Sequence, residues 1–148
     1  MTLYYNNPSA VTAQNPAGVW SNGYAAVWHF DNGLNDSTAN ANHGTNQGTT
    51  AEAGYIGNAR RFDGLSTYIG IGNKASLAIA NNLTIEAWAK RDADADPNIY
   101  GRILDKKLSS TPNAGFGLYY YKPSNLLIIA SADASFGRGS SNIGSVWH

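Results

Sequence analysis

The chemistry open to this chain rests on a handful of side chains: Asp36, Asp63, Glu52, Glu86 and Trp88. Asp36 opens a polar stretch, Asp-Ser-Thr-Ala-Asn-Ala-Asn-His-Gly over residues 36–44, whose carboxylate and amide oxygens suit hard cations such as calcium. Asp63 stands with Gly64 in an Asp-Gly corner, where a carboxylate lies beside bare backbone carbonyls. Each has a plainer reading. Asp63 shapes its turn, since Asp tolerates strained geometry and Gly supplies positive φ, and the polar loop is held by side chain to backbone hydrogen bonds. Trp88 lies among polar neighbours, where an indole either stacks on a sugar or covers a sheet. Asp92, Asp94 and Asp96 alternate as in a calcium loop, but Pro97 stands where Gly is needed and no Glu closes the run, so it reads as a solvated turn.

These groups need elements to position them. Residues 60–72 (Arg-Arg-Phe-Asp-Gly-Leu-Ser-Thr-Tyr-Ile-Gly-Ile-Gly) predict a hairpin, one strand ending at Phe62 and another carrying Tyr68, Ile69 and Ile71. Residues 24–30 predict a strand with Ala26, Trp28 and Phe30 on one face and His29, read as structural, on the other. The cleanest alternation is 83–90, with Leu83, Ile85, Ala87 and Ala89 facing the core and Thr84, Glu86, Trp88 and Lys90 opposite. Three further strands follow over 99–106, 116–122 and 126–132. Ile85, Ala87, Phe62, Ile69 and Leu118 are the predicted core, and residues 74–80 the one plausible helical turn. Leu3 to Tyr5 read as a strand end, and residues 9–22 as a linker or irregular arm in which Trp20 packs onto a neighbouring domain.

The chain's 148 residues suffice for one domain with a core. Charged residues are 14% and the formal net charge is zero, which argues against a nucleic-acid partner, whose binder would show a basic face. Hydrophobic residues reach 43%, too many for compositional disorder. The absence of cysteine rules out disulfides and thiolate metal sites. No apolar run is long enough to insert in a membrane, and no signal peptide is visible. Short apolar runs separated by Asn, Gly, Ser and Thr describe an all-β protein.

Taken in order, Val-Trp-His-Phe (27–30), the polar loop 36–44, Ala-Arg-Arg-Phe-Asp-Gly (59–64), Tyr-Ile-Gly-Ile (68–71), Leu-Thr-Ile-Glu-Ala-Trp-Ala-Lys (83–90), Gly-Phe-Gly-Leu (115–118) and Trp-His (147–148) resemble the laminin-G-like domains of the concanavalin A-like lectin/glucanase superfamily. The resemblance covers residues 23–148; residues 1–22 resemble the tail of an upstream bacterial domain and its linker. It implies an antiparallel two-sheet jelly-roll sandwich, here incomplete because the strands that usually follow Trp-His are missing. Open strand edges would then favour self-association.

The resemblance also implies a calcium ion at the rim, held by Asp36 and Asp63 with Asn40 and the carbonyls of His43 or Gly64 as lesser ligands. Without a cation, two carboxylates brought together would repel. Trp88 and Glu86 are the candidate ligand-binding residues. The implied role is a non-catalytic module for a glycan or an extracellular protein, at the cell surface or outside the cell, within a longer exported bacterial protein. Two alternatives stand beside it: a spacer in an adhesin, and a glycoside hydrolase. Cleavage needs two carboxyl groups at fixed separation. Hydrolases of the superfamily commonly carry Glu-x-Asp-x-x-Glu on one strand. Here Glu86 is followed by Ala87 and Trp88, with Lys90 near where a second acid belongs, and Glu52 is the only other glutamate. An enzyme is therefore not expected.

Overall fold

Among the described residues, strand formation begins where the polar loop ends. The computed structural model describes residues 8–9, 14–31, 33–79, 82–91, 100–107, 115–124, 126–131 and 137–139. Thr45–Gln47 (β1) pairs antiparallel with Tyr68–Gly70 (β4), and Thr50–Ala53 (β2) pairs antiparallel with Asn58–Arg61 (β3). A third sheet is a meander of four strands in the order Tyr100–Lys107 (β5), Gly115–Tyr121 (β6), Leu126–Ser131 (β7) and Gly137–Gly139 (β8). The described residues are thus all-β, their strands antiparallel. Among the described residues, helix is confined to the four-residue Pro16–Val19 (α1), started by Asn15, whose side chain accepts from the Gly18 N–H, and to short 3₁₀ turns. No described helix is long and apolar enough to cross a membrane.

Several expectations meet the structure directly. The three strands read between residues 99 and 132 form as β5, β6 and β7. Leu118 is buried at 4% exposure, between Leu104 of β5 and Ile129 of β7, with Tyr120 and Ile128 also buried. The helical turn expected at 74–80 is a 3₁₀ turn at Ala75–Leu77. Trp20 is half-buried and packs edge-on against Tyr24 at 5.1 Å and beside His29 at 5.5 Å. The strand end at Leu3 to Tyr5, the Asp92, Asp94 and Asp96 run and the closing Trp147-His148 lie outside the described residues.

Other expectations are corrected. The run 60–72 is not a hairpin: β3 pairs with β2 and β4 with β1, so the Asp63 corner carries the chain from one small sheet to another. The run 24–30 makes a single bridge, Trp28 to Asp36, and ends at Phe30, whose φ of +63° no regular strand accepts. The run 83–90 carries no ladder, and its alternation survives only in part, since Leu83 and Ala87, expected to face the core, are exposed. Ile85 and Ala89 are half-buried, while Thr84, Glu86, Trp88 and Lys90 are exposed. Periodicity reports which face is wetted; a strand also requires a hydrogen-bonded neighbour. Of the other predicted core residues, Ile69 is half-buried, while Ala87 and Phe62 are exposed.

Candidate functional site

The Asp36 carboxylate gathers the polar loop around itself. One oxygen accepts from the backbone N–H of Val27 and of Thr38, each at 2.9 Å. The other accepts from the Thr38 hydroxyl at 2.8 Å and the Asn42 N–H at 2.9 Å. Burial pushes its pKa up, but the N–H groups of Thr38, Val27 and Asn42 and the Thr38 hydroxyl outweigh that, leaving the carboxyl below its ordinary value. The Asp36 N–H donates to His43 Nδ1 at 3.1 Å. Asn42, wholly buried, donates to the Ala25 carbonyl at 2.9 Å, and its own carbonyl accepts from the Trp28 indole at 2.8 Å. Ser76 donates to the Asn42 side-chain oxygen at 2.9 Å, and Asn40 donates to the Ala25 carbonyl at 3.0 Å. The loop's side chains thus serve segment 24–28 as a partner strand would.

Asp63 organises a second, separate loop. Its Oδ1 accepts from the N–H groups of Leu65, Ser66 and Thr67 and from the Thr67 hydroxyl, all at 2.9 Å. Its Oδ2 accepts from the Ser66 hydroxyl at 2.9 Å. The Thr67 hydroxyl in turn accepts from the Asp63 N–H at 2.8 Å. The Thr67 N–H above all, then those of Leu65 and Ser66, hold this carboxyl far below the usual range. Gly64 takes φ +74° at the corner.

A carboxylate offers about four lone-pair directions. Asp36 has used all four on protein donors and does not fit a cation in this arrangement. Asp63 keeps one direction on Oδ2. The partners of Asp36 are residues 27, 38 and 42 and those of Asp63 are 65–67, so the hydrogen bonds do not join the two. Asn40 and His43 are already engaged within the first loop. No group of three or more His, Cys, Asp or Glu side chains among the described residues is placed to hold a metal ion. Saturating calcium is expected to leave the wild-type melting temperature within about 1 °C of its value in chelator, since only a ligand that prefers the folded state raises it. A larger rise that disappears in Asp63→Ala would restore the cation at the corner.

The third expected site has a geometry of its own. Trp88 stacks on Tyr55, ring centroids 4.6 Å apart and planes 20° from parallel, and each residue is 60% exposed. Tyr55 comes from the tip joining β2 to β3, where the Gly54 N–H donates to the Gly57 carbonyl at 2.9 Å. Asp31 clamps the base of that tip. Its carboxylate accepts from the Asn58 N–H at 3.1 Å, and its carbonyl accepts from the Asn58 side chain at 3.0 Å. Gly57, at φ +63°, lies so close to Asp31 that a Cβ there would come within 2.7 Å of its carboxylate. Glu86 is exposed two residues from Trp88. Glu52 is committed to Arg61, their charged groups 3.3 Å apart. Tyr55 was not legible as a partner of Trp88. The available signal was local: Tyr55-Ile56 between two glycines places apolar side chains where a turn ordinarily carries polar ones.

Compared with protein-family models, curated proteins and solved structures, the chain finds no match.

Proposed function

We propose that the chain is a non-catalytic binding module whose ligand is a glycan. The observation that carries this is the exposed Tyr55–Trp88 stack. A flat aromatic surface pays little conformational entropy on binding, and its apolar face matches the C–H face of a pyranose. Glu86 supplies a hydroxyl acceptor beside it. The Asp31 clamp holds the Tyr55 tip before any ligand arrives, which lowers the ordering cost of binding. The framework fitting this reading is a two-sheet jelly roll of the laminin-G-like kind, within a protein exported to the cell surface. Among the described residues, Glu52 is occupied by Arg61 rather than paired with Glu86, which disfavours a hydrolytic role.

The test is a glycan array probed with the full chain, followed by titration of the strongest ligand. Trp88→Ala is expected to weaken that ligand by roughly tenfold to a hundredfold, as for removal of a central aromatic anchor. Glu86→Gln is expected to weaken it less, and no turnover of the ligand is expected in either protein. An array on which the folded wild type retains nothing, or binding indifferent to Trp88→Ala, would remove the platform from the function.

A further inference from the structure

Residues 83–90 run without a turn or a bend, yet no strand accompanies them. Among the described residues, no hydrogen bond involves residues 82–89. One side of the run is turned to the body of the chain: Ile85 and Ala89 are half-buried, and Arg91 stacks over the Tyr120 ring at 4.5 Å. The other side, with Thr84, Glu86, Trp88 and Lys90, is exposed. A straight, strand-patterned segment with its main-chain donors and acceptors unpaired is a template for pairing with another chain. The outer edge of β5 is different. Its register shifts between Arg102 and Leu104, and this bulge at Ile103 interrupts the row of donors and acceptors that a second strand would need. Residues 82–89 carry no such guard.

The exposed side has an order that complements itself. Residues opposite one another on antiparallel strands share a face, where opposite charges attract and like charges repel. Lay the run antiparallel against its own copy, with Trp88 on the twofold axis. Trp88 then meets the partner's Trp88. Glu86 and Lys90 stand two residues before and after it, so Glu86 falls opposite the partner's Lys90, and Lys90 opposite the partner's Glu86. On the inner side, Ala87 falls opposite the partner's Ala89, and these small side chains let two bodies approach. Ala87 is exposed in the single chain although it stands on that inner side, and the second strand would cover it. Other registers fit less well. Centring the pair on Glu86 or Lys90 sets like charge against like, and centring it on Ala87 or Ala89 sets a charge against Trp88.

We propose that this run is a homodimer interface, in which residues 83–90 of two copies pair antiparallel about a twofold axis at Trp88. The pairing gives each run the ladder it lacks, and two symmetry-related ion pairs fix the register. Neighbouring strands lie about 4.7–4.9 Å apart, so the two indoles become neighbours. Each brings its own Tyr55, stacked at 4.6 Å. The dimer therefore gathers Tyr55, Trp88, the partner's Trp88 and the partner's Tyr55 on one side of the ribbon, and the aromatic surface of one chain is half of the whole. A carboxylate offers about four lone-pair directions, so Glu86 can accept from a ligand hydroxyl as well as from an ammonium. The pairing does not depend on what the rings bind; reading them as one glycan surface rests on the function proposed above.

The experiment is sedimentation velocity of the full chain over a concentration series, with circular dichroism of each variant confirming that it is folded. The wild type is expected to pass from monomer to dimer as concentration rises. Glu86→Lys and Lys90→Glu each turn both attractions into repulsions, and each should weaken the dimer by about tenfold or more. Mixed in equal amounts, these two variants complement each other at both positions. They should associate with one another about as tightly as the wild type does with itself, although neither does so alone. A wild type that stays monomeric at every concentration would overturn this interface and leave the single-chain Tyr55–Trp88 platform standing. A dimer indifferent to both charge reversals, or a mixture that fails to associate, would also overturn it. A dimer that behaves as expected while the glycan array stays empty would overturn the glycan reading and leave the interface in place.

Discussion

Asp36→Ala is expected to cost on the order of 3–5 kcal/mol, since it strands several donors that a charged acceptor had satisfied in a site only 6% exposed. For a chain of this size that corresponds to a fall in melting temperature of about 10 °C. Three of those donors are backbone N–H groups, and no substitution at their own positions can replace the bond they lose. Asp36→Asn should recover only part, because its amide would present hydrogens to the Thr38 hydroxyl and to the Asn42 N–H. The same carboxylate sets a pH dependence. Its pKa in the folded chain lies below the ordinary value of 3.8, so its contribution is present above that value. The contribution is lost as pH falls below 3.8 toward the folded pKa, where the unfolded chain binds the proton more readily. Urea unfolding from about pH 6 down to about pH 2 should therefore show a steeper acid loss in the wild type than in Asp36→Ala. Equal stability of the two proteins at neutral pH would refute the role given to this carboxylate.

Leu118→Ala should be the second large loss, roughly 2–4 kcal/mol, from the transfer term plus the cavity left in the sheet's interior. Leu118 sits on the central strand with Leu104 and Ile129 opposite it on either side, so collapse to fill the space would have to move two ladders at once. Leu118→Met, which keeps volume, should cost less than about 1.5 kcal/mol. A Leu118→Ala loss below 1 kcal/mol, on the order of a surface change, would show that this sheet contributes little to the cooperative unit.

The β5 to β7 meander was legible because its runs combine β-forming residues with turn residues between them, and its neighbours in sequence are also its neighbours in space. The region before it was less legible for a physical reason. Asp63-Gly64 was rightly seen as a turn, but the sequence does not say that the carboxylate would wind residues 65–67 around itself and send β4 to a different partner from β3. The polar loop was recognisable as held by side-chain bonds, one of the two readings its residues allowed, and its oxygens face inward onto protein donors. Trp88 was correctly placed on the wetted side of its run. Its partner Tyr55 lies more than thirty residues away, and no local pattern links them. The bulge at Ile103 was invisible because the run 99–106 reads the same with or without one.

The contact between segment 24–28 and residues 36–42 has a consequence for how this chain can drift. In an ordinary strand pair the bonds belong to the main chain, so side chains can be exchanged while the ladder persists. Here one main-chain bond joins them, from the Ser37 N–H to the Val27 carbonyl, and the other bonds to Val27 and Ala25 come from the side chains of Asp36, Asn40 and Asn42. The usual distribution of tolerance is thereby inverted. Apart from Trp28, whose indole donates to the Asn42 carbonyl, the apolar segment can accept many residues of suitable size, whereas its polar partner, which has the composition of a freely variable loop, is held as tightly as a hydrophobic core. Descendants of this chain would keep the loop's amides and carboxylate long after the strand beside it had changed.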